Sequence, residues 1–221
     1  MSALQGKTAL VIGAGSLGEP AALTLASAGV ARIVLVDAGD VEPSDLGHPR
    51  GAAARRLARL FPGLEVEDFA RGFDLGSAGD LVRSSDVVVD ASSHFPTMFL
   101  ANDAAVAAGK ALAHGGLLNF TVQLLTIIPG VTGCLRCLFE GPPPPGPEAG
   151  ALGPLAGFAG SFLGAEAVRL LEGRPGAYAG RLLVHEARSG RSRSVRVQQR
   201  PGCAACSAAP GNCAPLPGGA S

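Results

Sequence analysis

Four of the five cysteines fall into two pairs of identical spacing, Cys134-x-x-Cys137 and Cys203-x-x-Cys206. Two such knuckles supply four thiolates, the donor set of a closed tetrahedral zinc site. A closed site leaves no open coordination position, so its work is structural. Here it would tie the end of the chain to its middle. A redox CxxC and a pair of disulfides compete with that reading. A redox motif calls for a single CxxC near a thioredoxin-like pattern. Disulfides call for an oxidising compartment, yet Met1 to Leu10 run straight into a strand-like segment with no signal-peptide pattern. Cys213 is left over. It reads as a free exposed thiol, with a sulfur-carrying or thioester role as the alternative.

The second group is Gly13-Ala-Gly15-Ser-Leu-Gly18, between an apolar run and a helical stretch. Gly13 permits a tight turn, Gly15 lets backbone approach a phosphate, and Gly18 lets the helix pack close to the sheet. The phosphate would then meet the free N–H groups and positive dipole end of the helix. Asp37 ends the next apolar run, 19 residues after Gly18, where an acid can take both hydroxyls of a ribose. A Gly-rich turn without a ligand is the plain alternative. The motif does not say which nucleotide binds.

These residues need elements to hold them. The chain has 221 residues, 47% hydrophobic and 16% charged, too apolar for a disordered protein. Eighteen basic residues balance eighteen acidic ones, which argues against nucleic acid as the main partner. Ala111 to Leu135 and Ala149 to Ala165 lack charge but are broken by Gly, Pro or polar residues, so they read as buried sheet and helix rather than membrane spans. A cytoplasmic protein is expected. Strands are predicted over Thr8–Ile12, Arg32–Val36, Leu64–Asp68, Asp86–Asp90, Ala111–His114 and Thr121–Ile128, with an antiparallel pair Arg181–His185 and Ser192–Val197 turning at Ser189 and Gly190. Helices are predicted over Ser16–Ala28, Ala52–Leu60, Phe95–Ala108 and Leu155–Leu171. Val41–Pro49 and Gly141–Pro147 read as loops, and residues 207–221 as a flexible tail after a single domain over 1–206. The alternation implies an α/β fold: a Rossmann-like, mostly parallel sheet, an antiparallel C-terminal extension and a four-cysteine zinc knuckle.

In order and spacing, these features together resemble the ThiF/MoeB/HesA family, bacterial relatives of ubiquitin-activating enzymes, over roughly residues 6–206. The resemblance is carried by the glycine loop, Val36-Asp37 and Asp40-Val-Glu-Pro-Ser44-Asp45-Leu46. It continues through Asp86-Val-Val-Val-Asp90, Asn102-Asp103, Cys134-Leu-Arg-Cys137-Leu-Phe139, Glu148 to Pro154, Gly160-Ser161, Glu166-Ala167 and Pro201-Gly-Cys203-Ala-Ala-Cys206. It implies ATP and Mg2+ as cofactors beside structural Zn2+, and adenylation of the C-terminal carboxylate of a small ubiquitin-like or sulfur-carrier protein. It also implies a homodimer, or a heterodimer with a relative. By the same resemblance Gly13, Gly15, Gly18, Asp37, Ser44, Asp45, Arg50, Ser93 and His94 line the nucleotide, and Arg50 faces the phosphates as the catalytic cation.

The chain departs from the family pattern where charge is handled. Ser44-Asp45-Leu46-Gly47-His48-Pro49 lacks the family's Arg, and Arg50 stands where a phosphate-binding Lys is expected. Ser93 replaces the Asp expected to hold magnesium, Met98 an Arg, and Gly146 the Cys of some members. His48 and His94 read as solvent-facing or structural, and His114 and His185 receive no role. Adenylation moves negative charge onto pyrophosphate, so these changes leave a second reading: a catalytically impaired scaffold that binds nucleotide or carrier, with an active partner. A dinucleotide oxidoreductase also fits the glycine loop and Asp37, but not the paired knuckles or Glu148–Glu166.

Overall fold

The computed structural model describes residues 4–37, 51–69, 71–141 and 153–207. Eight strands form one sheet: β1 (Thr8–Ile12), β2 (Arg32–Val36), β3 (Glu65–Phe69), β4 (Val87–Asp90), β5 (Leu112–Leu118), β6 (Thr121–Ile127), β7 (Arg181–Glu186) and β8 (Arg191–Arg196), in the order β3-β2-β1-β4-β5-β6-β7-β8. The first five run parallel, and β6, β7 and β8 continue antiparallel. The mixed α/β sheet predicted from the sequence is therefore present.

Central parallel strands are covered on both faces and read as unbroken apolar runs. Ala9 to Ile12 and Val87 to Val89 obey this, each fully buried or nearly so. One face is covered by α1 (Gly18–Ser27), α2 (Ala52–Leu60) and α6 (Gly153–Leu171), whose Leu25, Leu57 and Leu163 pack onto Val11, Leu35 and Val89. The other face carries α3 (Ala78–Arg83), α4 (Phe95–Ala107) and the single turn α5 (Leu135–Leu138), with Val82, Phe99 and Leu135 against Leu10, Val88 and Leu125. At Gly160 a Cβ would lie 2.1 Å from the Leu17 carbonyl oxygen, so α6 can press onto the start of α1 only with glycine there. Buried Glu166 fixes α6 to the sheet. Its carboxylate accepts from Thr126 Oγ1 at 2.6 Å, Ala177 N–H at 2.8 Å and Tyr178 N–H at 3.1 Å.

Several expectations shift. The first helix starts at Gly18 rather than Ser16, because Gly13 to Leu17 form the loop. β3 lies one residue later than predicted, and β5 runs on to Leu118 instead of ending at His114. Its first half pairs with β4, while the remainder is held by β6 through the tight turn at Asn119 and Phe120. Helices α3 and α5 were not predicted; both are too short to show an apolar period. Val41–Pro49, most of the Pro-rich loop and residues 208–221, with Cys213, lie outside the described residues. No described helix is long and apolar enough to cross a membrane.

Candidate functional site

The strand order reverses between β1 and β4. In open α/β sheets a crevice opens at such a switch point, beyond the carboxyl ends of the strands. β1 delivers Gly13 there. Its N–H donates to Val36 C=O at 2.8 Å, and the Ala91 N–H donates to Ile12 C=O at 2.8 Å. Gly13 has φ +85°, and a Cβ on it would lie 2.7 Å from the Ala91 carbonyl oxygen. The Gly15 carbonyl accepts the Glu19 N–H at 2.9 Å as the chain enters α1. At Gly18 a Cβ would sit 1.7 Å from the Gly13 carbonyl oxygen, so any side chain there forces the loop open.

Asp37, just beyond β2, turns back onto this loop, and its Oδ2 accepts the Ala14 N–H at 3.1 Å. The structure thus brings together Gly13, Gly15, Gly18 and Asp37, as the sequence spacing requires. Ser93 and His94 lie on the exposed turn between β4 and α4, the turn that packs on Gly13. His94 is the N-cap of α4, and its Nδ1 contacts Thr97 Oγ1 at 3.1 Å. Met98, where the resemblance calls for Arg, is buried in the core under α4. Ser44, Asp45 and Arg50 lie outside the described residues.

Two features of this region were missed in the sequence. Glu19, in the first turn of α1, is buried and forms an ion pair with Arg56 of α2 at 3.0 Å. A carboxylate there suits the helix dipole, and Arg56 offsets its charge. Asp90 ends β4 with no exposure at all. Its Oδ1 accepts the Ser92 N–H at 3.1 Å and the Ser92 hydroxyl at 2.6 Å, and its Oδ2 meets His114 Nδ1 at 2.7 Å. His114, left without a role above, is therefore one half of a buried hydrogen-bonded pair that links β5 to β4. The signal was available. An ionisable residue inside an uncharged, sheet-forming stretch must find a partner, and Asp90 closes the run Val87-Val-Val.

The cysteines converge. The four Sγ atoms of Cys134, Cys137, Cys203 and Cys206 lie within 4.8 Å of one another, and three of the four residues are buried. Sγ separations are 3.8 Å for Cys134–Cys137, 3.7 Å for Cys134–Cys203 and 3.3 Å for Cys137–Cys206. Disulfide sulfurs would be about 2.05 Å apart. A tetrahedron with Zn–S bonds of about 2.3 Å puts its sulfurs about 3.8 Å apart, so the donor set fits zinc. Burial, then the neighbouring Cys137 sulfur, pushes the Cys134 thiol up to about 11. Burial and the Cys137 and Cys203 sulfurs raise Cys206 further. Burial also works against the Cys203 thiolate, but the Cys206 and Ala205 N–H groups outweigh it and bring the thiol down to about 7. Four crowded sulfurs that resist joint ionisation are what a divalent cation would neutralise.

The knuckle is bolted to α4. Leu135 N–H donates to Asn102 Oδ1 at 2.8 Å, and the Arg136 guanidinium grips the Asp103 carboxylate through Nε at 2.7 Å and Nη2 at 2.6 Å. The pair Asn102-Asp103 thus acquires a structural task.

Known proteins are similar to this chain in sequence and in fold. The ThiF family model matches residues 1–205. The chain is 37% identical to a sulfur carrier protein adenylyltransferase of Thermus thermophilus, over 92% of this chain and 83% of the relative. It is 37% identical to a SAMP-activating enzyme E1 of Haloferax volcanii, over 89% of this chain and 79% of that one. The adenylyltransferase and sulfurtransferase MOCS3 of Bos taurus is 38% identical over 91% of this chain, which spans 48% of that longer protein. Among solved structures, E. coli MccB with ATP shares the fold at a TM-score of 0.78 and 18% identity, covering 92% of this chain and 68% of MccB. The chain, with its glycine loop at the sheet reversal and its fourfold sulfur cluster, belongs to the ThiF family.

Proposed function

We propose that the protein binds ATP and magnesium in the β1–β4 crevice and adenylates the C-terminal carboxylate of a small ubiquitin-like or sulfur-carrier protein, releasing pyrophosphate. The observation that carries the reading is Asp37 held on the Ala14 N–H of a glycine loop that only glycine at position 18 can close. Family membership and relatives named as carrier-protein adenylyltransferases support it. Phosphates rest on the N–H groups that open α1. The ribose hydroxyls take Asp37 in exchange for its bond to Ala14. Arg50 faces the phosphates as the cation that offsets charge on the departing pyrophosphate, a role worth orders of magnitude in related phosphoryl transfers. Ser44, Asp45, Ser93 and His94 complete the lining. Bound ATP would supply the electrophilic α-phosphorus, and the glycine loop and Asp37 would orient it. The cysteine cluster holds one zinc ion as a structural clamp. Residues 1–206 act as one nucleotide-binding domain of a cytoplasmic dimer, and residues 207–221 form its tail.

A specific observation favours a second reading. Ser93 offers no carboxylate to a hard cation, buried Met98 brings no charge, and Asp90 already serves Ser92 and His114. With those charges missing, the protein would be a scaffold that binds nucleotide or carrier without turnover, dimerising with an active relative. ATP–pyrophosphate exchange with purified protein, magnesium and candidate carriers ending in glycine separates the two. Carrier-dependent exchange and an acyl-adenylate mass support the enzyme. Nucleotide binding without exchange supports the scaffold.

A further inference from the structure

The buried pair Asp90–His114 plays no part in the chemistry proposed above, yet it lies beside it. Burying a charge is costly unless it is paired and hydrogen-bonded, and both residues are nearly sealed from solvent, at 0% and 6% exposure. Asp90 pairs backbone-to-backbone with Ile12 on one side and His114 on the other, so it stands between the residue preceding the glycine loop and the imidazole. A carboxylate can only accept, so His114 Nδ1 donates to it. The other carboxylate oxygen accepts both the N–H and the hydroxyl of Ser92. The backbone of Ala91 and Ser92 is in turn the surface on which Gly13 rests, near enough that a Cβ on Gly13 would meet three of its atoms within 3.1 Å. A chain of direct contacts therefore runs from His114 through Asp90 and Ser92 to Gly13.

We infer that His114 and Asp90 are positioning residues for the nucleotide loop. The imidazole fixes the Asp90 carboxylate, the carboxylate fixes the turn after β4, and that turn sets the height of Gly13 and the amides that follow. The inference rests on the nucleotide reading for its purpose but not for its mechanics. It makes the turn, which here carries Ser93 in place of a metal-binding carboxylate, depend on an internal clamp rather than on a bound cation for its shape.

The test uses three variants of the full chain. His114→Leu removes the donor at similar bulk, His114→Gln restores an N–H donor, and Ser92→Ala removes the shorter of the two bonds from the turn to Asp90, the hydroxyl one at 2.6 Å, leaving the backbone N–H bond and the buried strand in place. Amide hydrogen exchange without nucleotide reads the clamp directly. Exchange at Gly13, Ala14 and Ser92 should quicken at least tenfold in His114→Leu and Ser92→Ala, return to within threefold of wild type in His114→Gln, and stay unchanged over β6 and β7. Titration with ATP should show the same order of affinities, about tenfold weaker for the first two variants. Unchanged exchange in the glycine loop of Ser92→Ala, or of folded His114→Leu, overturns the inference, as does loosening spread evenly over the sheet. If His114→Leu does not fold, Ser92→Ala and His114→Gln decide. Variants that show the exchange pattern beside a wild-type protein that binds no ATP overturn the proposed function and leave the clamp standing.

Discussion

Asp37 carries the most discriminating charge in the crevice, and its bond to Ala14 N–H is one it can surrender to a ribose. Hydrogen bonds to a charged group are worth about 1.5–3 kcal/mol, which is roughly 10- to 100-fold in affinity. Asp37→Ala should therefore weaken ATP binding by about that factor in a calorimetric titration, with little change in melting temperature. Gly18→Ala should behave differently. Its methyl group would overlap the Gly13 carbonyl oxygen, so the loop must deform, costing about 1–3 kcal/mol of stability as well as ATP affinity. Thermal melts and titrations on the two variants separate a lost contact from a lost shape. At this scale the glycine loop, Asp37 and the four cysteines were legible, because each depends on residue type and spacing alone. Asp90–His114 was not, since its partners stand 24 residues apart and meet only once β4 and β5 pair.

Elements were legible where burial is two-sided and continuous. The bounds of β1 and β2 were read as they stand from their apolar runs, and those of α2 from an Ala/Arg/Leu-rich run stopped ahead of Pro62. Helix α3 escaped because its six residues, Ala78 to Arg83, rely on a local device instead of a periodic apolar face. Asp74 accepts the Gly76 and Ser77 N–H groups and the Ser77 hydroxyl on Oδ1, all at 2.9 Å. The Ser77 hydroxyl, then its N–H, holds this exposed carboxyl below its ordinary value of 3.8. A carboxyl lowered by folding stabilises the native state above its unfolded value and loses that contribution as pH falls through the lower, folded one. Protection of the α3 amides should thus hold from neutral pH down to about pH 4 and fade below it. Asp74→Ala should fray α3 at every pH, read by amide exchange, with β1 and β4 unaffected.

For the whole molecule, the sulfur cluster would become a cross-link on binding zinc. It joins the Cys134–Cys137 turn, fastened to α4 through Asn102 and Asp103, to the segment that follows β8. In the chain-entropy view, closing a loop of that length stabilises by about 4 kcal/mol. Metal analysis should find one zinc per chain. Its removal by a chelator, or Cys203→Ser, should lower the melting temperature by roughly 10 °C and release the β7–β8 hairpin first. A metal-free protein with unchanged melting would refute the cross-link. The fold class and this closure could be foreseen because the knuckles bracket the C-terminal strands in the sequence. Helices on both faces of the sheet followed from the alternation as well; that α3 is one of them did not, because its six residues show no apolar period.

At one edge of the sheet, β8 leaves all six of its residues exposed, Arg191, Arg193 and Arg196 among them. An open sheet border invites further strands, and natural proteins discourage this with charge. Two such borders brought together would set guanidinium against guanidinium, so a copy of the molecule is a poor template for its neighbour. The charge along β8 thus discourages the addition of a further strand at this border of the sheet.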